Sequence, residues 1–247
     1  MKFIEAYAPT TDIFCLQEIY FEKLPHENTF GTRVDLAEQI KKLLPDFPMF
    51  GRFATDGAYG YRAPHEKTIG DKVIRMGEAI FVKNRVKVVG SGGFHTYVPD
   101  SESDKEKIEP ATGNFLFVKT RVGDDEYAIG NVHGIWLPGS KSDSPKRLEQ
   151  SKHIESWLKE HPEKKILCGD FNLEPLTKSV AMLDADMRDL IKDFKIICTR
   201  SRYYSDMEKY ADYIADYAFV SRDVRVGDFK VLPDEISDHL PLLLDFS

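Results

Sequence analysis

At 247 residues, the chain has the length of one large domain and is too short for two typical domains joined by a linker. Apolar residues make up 42% and charged residues 30%, as in soluble globular proteins, and the absence of a run of about 18 apolar residues argues against a membrane span. The net charge of −7 argues against a protein that binds duplex nucleic acid through a broad basic face.

Short apolar runs alternate along the chain with segments of helical spacing. Residues 12–17 predict a buried strand, and residues 33–44 place apolar side chains on one face of a helix that Pro45 closes. A second helix is predicted from Pro145 to about Glu160. The remaining predicted strands are 78–83, 86–90, 114–121, 126–133, 165–168, 217–220, 224–231 and 242–246, with a hairpin turn at 123–125.

This mixture of strands and helices, without strict βαβ alternation, predicts an α+β or layered α/β fold in a single domain over residues 1–247. The charged stretch 101–109 predicts a solvated loop, and residues 3–8 predict the end of a helix. The three cysteines lack CxxC spacing, and Cys15 and Cys168 lie within apolar runs, which predicts buried free thiols. The N-terminus also lacks the apolar core of a secretory signal, so a cytoplasmic protein is expected.

Polar residues stand repeatedly where a predicted buried strand begins or ends. In chain order these residues are Glu18, His133, Asp170, Asn172, Asp216, Asp238 and His239. Five of them have an ordinary alternative. Asp170 suits an Asx turn, Asp238 a turn before Pro241, His133 a hydrogen-bonded core position, Glu18 a solvated strand end, and Asp216 a surface pair with Arg200 or Arg202. Strand ends are also where ligand sites form, and the repetition favours one shared site.

The motifs LQE, NVH, GDFN, DYAFVS and SDHLP, in this order and at these intervals, resemble those of the endonuclease/exonuclease/phosphatase superfamily. The resemblance runs from about residue 12 to the C-terminus; GDFN and SDH together are specific, whereas LQE or DY alone is weak. It implies a deoxyribonuclease-like four-layer sandwich, in which two mixed β-sheets are flanked by helices. It also implies a divalent-metal-dependent phosphoesterase, a nuclease or related hydrolase, acting on a phosphodiester in nucleic acid or in a smaller phosphorylated substrate.

The same resemblance implies a metal site. Glu18 and Asp238 would ligate Mg²⁺ or Mn²⁺ through hard oxygen donors. Asp170 would be a general base or a further metal ligand, and with Asn172 it would hold the attacking water and a phosphate oxygen. Phosphodiester hydrolysis needs an in-line water, neutralised phosphoryl oxygens and a stabilised leaving oxygen, which such a set can supply.

Two histidines complete the implied catalytic set. His239 would hydrogen-bond a phosphate oxygen, with Asp216 orienting the ring. His133 would contact the phosphate or transfer a proton, and Glu78 in MGEAIFVK is the candidate carboxylate on which it leans. Carboxylates beside these rings would keep them protonated, because a neighbouring negative charge raises the pKa of a histidine.

The loop 199–210 is the first candidate for substrate contact. Arg200, Arg202 and Tyr203 could grip a phosphate and stack on a base or ring, and Asn131 of the NVH motif is assigned to the substrate as well. The alternative is a solvated loop whose tyrosines pack on the domain. A second basic candidate follows His133 and consists of Lys141, Lys146 and Arg147, with Arg147 expected on a helix surface.

One departure from the family pattern concerns the first strand. The superfamily begins with a strand that ends in an asparagine, but eleven residues precede Asp12 and none is an asparagine. This favours a rival interpretation, in which the chain is a degenerate member that binds a phosphorylated ligand or partner without turnover. The presence of every later motif favours the interpretation that the chain is an active enzyme.

Overall fold

A computed structural model of the chain describes residues 1–23, 33–53, 75–98, 112–204 and 213–247. Its strands are β1 (Ile13–Tyr20), β2 (Met49–Phe53), β3 (Met76–Val82), β4 (Lys87–His95), β5 (Asn114–Val122), β6 (Asp125–His133), β7 (Lys164–Asp170), β8 (Met187–Asp189), β9 (Asp216–Ser221), β10 (Val226–Val231) and β11 (Leu242–Phe246). Its helices in these ranges are α1 (Lys2–Tyr7), α2 (Leu36–Leu43), α3 (Pro145–Glu160), α4 (Lys178–Asp184) and α5 (Leu190–Asp193).

Every strand and helix predicted from the sequence is present, with ends that shift by a few residues. Four further elements, β2, α4, β8 and α5, were not predicted. Each has at most seven residues, which is too short for a clear hydrophobic period. The predicted loop at 101–109 lies outside the described residues.

The six-stranded sheet has the order β4-β5-β6-β7-β9-β8. Strands β5 and β6 form an antiparallel hairpin whose turn places Gly123 at φ +62°, a conformation that glycine adopts readily. Strand β7 runs parallel to β6, which pairs His133 with Asp170, and antiparallel to β9, which pairs Asp170 with Asp216. The registers therefore align the ends of three strands at one edge of the sheet.

Two smaller sheets have the orders β1-β3-β2 and β10-β11. Along β3, Ile80 and Val82 point into the large core shared with the six-stranded sheet, while Ala79 and Phe81 point into a second core beneath α1 and α2. Helices α3, α4 and α5 contribute apolar residues to the large core. The fold is therefore the expected deoxyribonuclease-like sandwich of sheets flanked by helices.

Within the described ranges, no strand joins β1 to β11. Both nevertheless pack against the large core, β1 through Ile13 and Cys15 and β11 through Leu244 and Phe246. In these ranges the second layer of the sandwich therefore consists of two separate sheets.

The three cysteines are free, as predicted, but they are half-buried rather than buried. For Cys15 the reason is visible in the sheet, because β1 has a described neighbour, β3, along one edge only. None of the helices in the described ranges combines the length and apolar character needed to cross a membrane.

Candidate active site

Four polar residues form a row across the end of the six-stranded sheet. Asn114 on β5 pairs with His133 on β6, His133 with Asp170 on β7, and Asp170 with Asp216 on β9. All four are buried. Since directly paired residues point to the same face of a sheet, the register alone brings these side chains together.

The GDFN turn holds its polar groups by local hydrogen bonds. The Asp170 Oδ1 accepts from the backbone N–H of Asn172 at 2.8 Å, and Asn172 Nδ2 donates to the carbonyl of Gly134 at 2.9 Å. Asn172 adopts a left-handed conformation with φ +54°. Its Oδ1 is buried without a hydrogen-bond partner among the described residues, so this acceptor is available for a ligand.

His239 reaches the row from the loop before β11. Its Nδ1 lies 2.7 Å from Asp216 Oδ1, while Thr199 donates to Asp216 Oδ2 at 2.6 Å. The Nε2 of His239 lies 3.5 Å from Asp170 Oδ2 and 3.8 Å from Asp238 Oδ2. Burial lowers the pKa of His239, but Asp216 and Asp170 raise it more, so the pKa lies above its ordinary value. The contact with Asp216 therefore fixes the ring of His239 at the end of the row.

His133 lies between two carboxylates. Its Nδ1 is 3.4 Å from Glu78 Oε1, and its Nε2 is 3.5 Å from Glu18 Oε1. Burial lowers the pKa of His133, but the adjacent Glu78 carboxylate and the charge of Glu18 raise it more, to about 9. Glu78 is fully buried and accepts a short hydrogen bond from Asn114 Nδ2. The structure therefore places Glu78 at the position predicted for the partner of His133.

Glu18 occupies a strained position. Its φ is +56°, within a register irregularity between Leu16 and Ile19 on β1. The other non-glycine residues with positive φ in the described ranges are Asn172 and Lys195. Such backbone conformations cost about 1–3 kcal/mol each and often occur at functional sites. Two of the three fall on predicted site residues, and the bulge turns the Glu18 carboxylate toward His133, with 60% of the side chain exposed.

Arg200 extends into the centre of the cluster. Its Nη2 lies 3.7 Å from Asp170 Oδ2, its Nη1 lies 3.3 Å from Asp238 Oδ2, and Nη1 also contacts His239 Nε2. The guanidinium lies over the ring of Tyr204, 4.5 Å from its centroid. The structure thus links Glu18, through His133 and Asp170, to Asp238 in one cluster.

Lys141 is a further residue of this cluster. Its side chain is buried, and burial lowers its pKa. Burial raises the pKa of Asp170, but the charges of Lys141, His239 and Arg200 lower it more, to about 2. The sequence marked Lys141 as an alternative basic residue, but its neighbours in the loop gave no signal of its burial. Asp170 is consequently ionised throughout the neutral range.

Three predicted substrate contacts lie away from the cluster. The Asn131 amide donates to the carbonyl of Leu16 at 2.9 Å and accepts from Gln17, so it joins β6 to β1. Arg202 is exposed and pairs with Glu235 at 2.9 Å, and Tyr203 is exposed beside it. Their contact with a substrate stays a prediction.

The expectation that Arg147 lies on a helix surface was wrong. The Arg147 side chain is buried, and its Nη1 donates to the carbonyls of Ser140 at 2.9 Å and Ser142 at 2.8 Å. Arg147 lies in the first turn of α3, so its side chain can fold back onto the loop that precedes the helix. It therefore fixes that loop, which carries Lys141.

The donor atoms of the cluster fit a hard divalent cation. Ligand atoms of Asp170, Asp216 and His239 lie within 4.8 Å of one another, although both oxygens of Asp216 already accept hydrogen bonds. The carboxylates of Glu18 and Asp238 are more open, with side chains 60% and 48% exposed. Open carboxylates that leave room for water suit Mg²⁺ or Mn²⁺.

Residues 1–239 match the model of the Endonuclease/Exonuclease/phosphatase family. A search of the curated proteins finds no match.

Three solved structures illustrate the likeness of the fold. The mannosyl-6-phosphatase Bt3783 of Bacteroides thetaiotaomicron VPI-5482 has a TM-score of 0.70 and 18% identity, over 100% of this chain and 89% of that chain. The human Nocturnin catalytic domain with bound sulfate anion has a TM-score of 0.66 and 17% identity, over 100% and 83%. D. rerio TDP2 complexed with single strand DNA product has a TM-score of 0.65 and 16% identity, over 100% and 90%. At these identities the likeness establishes the fold.

Proposed function

The chain belongs to the endonuclease/exonuclease/phosphatase family, and from this membership and the cluster at the sheet edge we propose that it is a divalent-metal-dependent phosphoesterase. The proposed reaction is hydrolysis of a phosphodiester, in nucleic acid or in a smaller phosphorylated substrate, by attack of water. Similar folds named as a mannosyl-6-phosphatase and as TDP2 with a DNA product support a phosphate ester as the substrate class. The proposed catalytic domain is the whole of residues 1–247, because one large core joins strands from β3 to β11.

Glu18 and Asp238 would hold the metal ion, Mg²⁺ or Mn²⁺. When bound, such an ion supplies positive charge beside a phosphoryl oxygen and lowers the pKa of a coordinated water. Asp170, with a pKa of about 2, is a weak proton acceptor at neutral pH, so its proposed role is to orient the attacking water by accepting a hydrogen bond. Asn172, with a buried and unpartnered Oδ1, would orient the same water.

The two histidines are suited to donate hydrogen bonds. Asp216 lies 2.7 Å from Nδ1 of His239 and fixes the ring, while Nε2 lies 3.5 Å from Asp170 and contacts the guanidinium of Arg200. A phosphate oxygen is proposed to take the place of that guanidinium and to accept from Nε2. His133, with a pKa of about 9, is protonated at neutral pH and is proposed to donate to the phosphate or to the leaving oxygen.

The observation that carries the proposal is the convergence of His133, Asp170, Asp216 and His239. The first three share one row of the sheet, and Nε2 of His239 lies 3.5 Å from Asp170 Oδ2. Burying several ionisable side chains together costs free energy, so such a group at the ends of neighbouring strands indicates a functional site.

Hydrolysis of bis-p-nitrophenyl phosphate in the presence of Mg²⁺ or Mn²⁺ tests the proposal. We expect Asp170→Ala and His239→Ala each to lower kcat by roughly 10²–10⁴-fold, the usual share of one positioned acid or base. Asp228→Ala removes an exposed carboxylate on β10 and serves as the matched control. Circular dichroism checks that each variant is folded.

The rival proposal is a phosphate-binding protein without turnover. Contact of the Arg200 guanidinium with Asp170 and Asp238 favours it, because the guanidinium lies among the carboxylates that a metal ion would need. Absence of turnover on both diester and monoester substrates, together with retained binding of inorganic phosphate, would establish the rival and refute the enzyme.

A further inference from the structure

Asn114 is the residue of the row that holds the Glu78 side chain. Glu78 is fully buried, and its Oε2 accepts a short hydrogen bond from Asn114 Nδ2, while its Oε1 lies 3.4 Å from His133 Nδ1. Neither Oε1 of Glu78 nor Nδ1 of His133 has a hydrogen-bond partner among the described residues. The position of the Glu78 carboxylate beside the histidine ring therefore depends on Asn114.

The hydrogen bonds of Asn114 require one orientation of its side-chain amide. Its Oδ1 accepts from Arg52 Nε at 2.7 Å, and its Nδ2 donates to the Arg52 carbonyl at 3.4 Å as well as to Glu78. A rotated amide would turn its oxygen toward the Glu78 carboxylate, and two acceptors cannot form a hydrogen bond. It would also turn an N–H toward the guanidinium, which can only donate. Arg52 therefore selects the orientation in which the amide nitrogen faces Glu78.

The packing of the two sheets lets Arg52 reach Asn114. Arg52 on β2 is paired with Glu78 on β3, so both side chains point to the same face of the smaller sheet, whereas Asn114 lies on β5 of the six-stranded sheet. The Arg52 side chain passes close to Gly93, where an added Cβ would lie 2.6 Å from Arg52 Cδ. A larger residue at position 93 would therefore displace the arginine.

We propose that Arg52 is a positioning residue, whose guanidinium fixes the Asn114 amide and, through it, the Glu78 carboxylate beside His133. The contacts join both sheets, because Arg52 and Glu78 come from the smaller sheet and Asn114 and His133 from the larger one. Without the guanidinium the amide can rotate, and Glu78 then loses its hydrogen-bond donor. The consequence for turnover rests on the proposed function, since it requires His133 to act on the phosphate ester; the orientation of the amide does not.

The orientation is tested first, by ¹H–¹⁵N spectra of the full chain without substrate or metal. The Asn114 side-chain amide should give two well-separated and slowly exchanging proton signals, because one N–H donates to a buried carboxylate. We expect these signals to move toward ordinary amide positions in Arg52→Met, which keeps the apolar stem without a donor, and to persist in Arg52→Lys, whose amine can only donate. Arg75→Met is the matched control and should leave the signals unchanged, because the Arg75 guanidinium lies over the ring of Phe53 and pairs with Glu22 at 3.4 Å.

Steady-state hydrolysis of bis-p-nitrophenyl phosphate with Mn²⁺ then tests the consequence for turnover. We expect kcat to be roughly tenfold or more lower in Arg52→Met, with KM little changed, because a hydrogen bond that orients a charged group is lost. Arg52→Lys should restore most of kcat, and Arg75→Met should stay within about twofold of the wild type. Since Arg52 acts through Asn114, Arg52→Met should lower kcat little further when Asn114→Ala is already present.

Unchanged Asn114 amide signals in folded Arg52→Met overturn the inference. So do changed signals with an unchanged kcat, and so does a double variant whose loss of kcat is the product of the two single losses. If the wild type does not turn over the ester, the proposed function fails and the amide signals alone decide the inference. If Arg52→Met does not fold, as judged by circular dichroism, the Nε–H of Arg52 in the wild type decides, with slow exchange with water supporting the bond to Asn114 and fast exchange overturning it.

Discussion

The substitution Glu78→Gln tests how the protein keeps His133 charged. Glu78 is fully buried, with one oxygen 3.4 Å from His133 Nδ1 and the other accepting from Asn114. Glutamine keeps the shape of the side chain and an oxygen for Asn114, but it removes the negative charge. The effect on His133 is therefore mainly electrostatic.

The expected magnitude follows from the pKa of His133. Burial lowers this pKa, whereas the adjacent carboxylates of Glu78 and Glu18 raise it, from 6.5 to about 9. Without the Glu78 contributions, we expect the pKa of His133 to fall from about 9 toward its ordinary value. Each unit by which the pKa falls removes about 1.4 kcal/mol of preference for the protonated form of His133.

The sign of the stability change follows from linkage. A histidine whose pKa is higher in the folded than in the unfolded state stabilises the fold fully below the unfolded pKa, and this stabilisation is lost as the pH rises through the folded pKa. In the wild type the loss runs from pH 6.5 to about 9. In Glu78→Gln we expect the free energy of unfolding to depend less on pH in that window, where the raised pKa of His239 still contributes.

Long-range ¹H–¹⁵N spectra of the imidazole rings, recorded between about pH 5 and 10 with a chelator present, measure this pKa directly. Glu18→Gln is the matched control, because its carboxylate faces the other ring nitrogen at 3.5 Å but is 60% exposed. We expect a smaller decrease there, since solvent screens the exposed charge. A His133 pKa that stays near 9 in Glu78→Gln would refute the reasoning.

Three further predictions address the site and the scaffold. Thr199→Val removes the 2.6 Å hydrogen bond to Asp216, and steady-state kinetics should show kcat about tenfold lower with KM little changed, since His239 is less well oriented. A chelator should abolish turnover of bis-p-nitrophenyl phosphate, and added Mn²⁺ should restore it in the wild type but not in Glu18→Gln. Gly169→Ala should destabilise the fold by about 2–4 kcal/mol in urea unfolding, because Gly169 has φ +131° and a Cβ would lie 2.1 Å from the Val132 carbonyl oxygen.

The strands and the positions of the candidate site residues at their ends were predictable because strand ends carry a strong local signal. An apolar run followed at once by GDFN indicates both a buried strand and the polar turn that ends it. The same holds for YAIGNVH, which places His133 at the last residue of β6. The prediction needed no distances, because the change from apolar to polar residues in the sequence indicates where each buried strand ends.

Features that depend on packing between distant segments were not predictable. The burial of Lys141 and Arg147 depends on how the loop before α3 folds over the sheet, and a local sequence window contains no information on that contact. The half-burial of Cys15 depends on which strands flank β1. Likewise, the position of Arg200 among the acids follows from its pairing with His239, which lies 39 residues away in sequence.

Strand direction explains why the motifs take the form that they do. Because β6 and β7 are parallel, the edge that holds the last residue of β6 also holds the last residue of β7, so His133 and Asp170 must each close their strands. Because β9 is antiparallel to β7, the same edge holds its first residue, and Asp216 must open its strand. A shift of β9 by one residue would turn Asp216 to the opposite face of the sheet and leave Nδ1 of His239 without its carboxylate. The order of polar and apolar residues in NVH, GD and DY therefore follows from the strand directions, which bring these polar side chains together at one end of a mixed sheet.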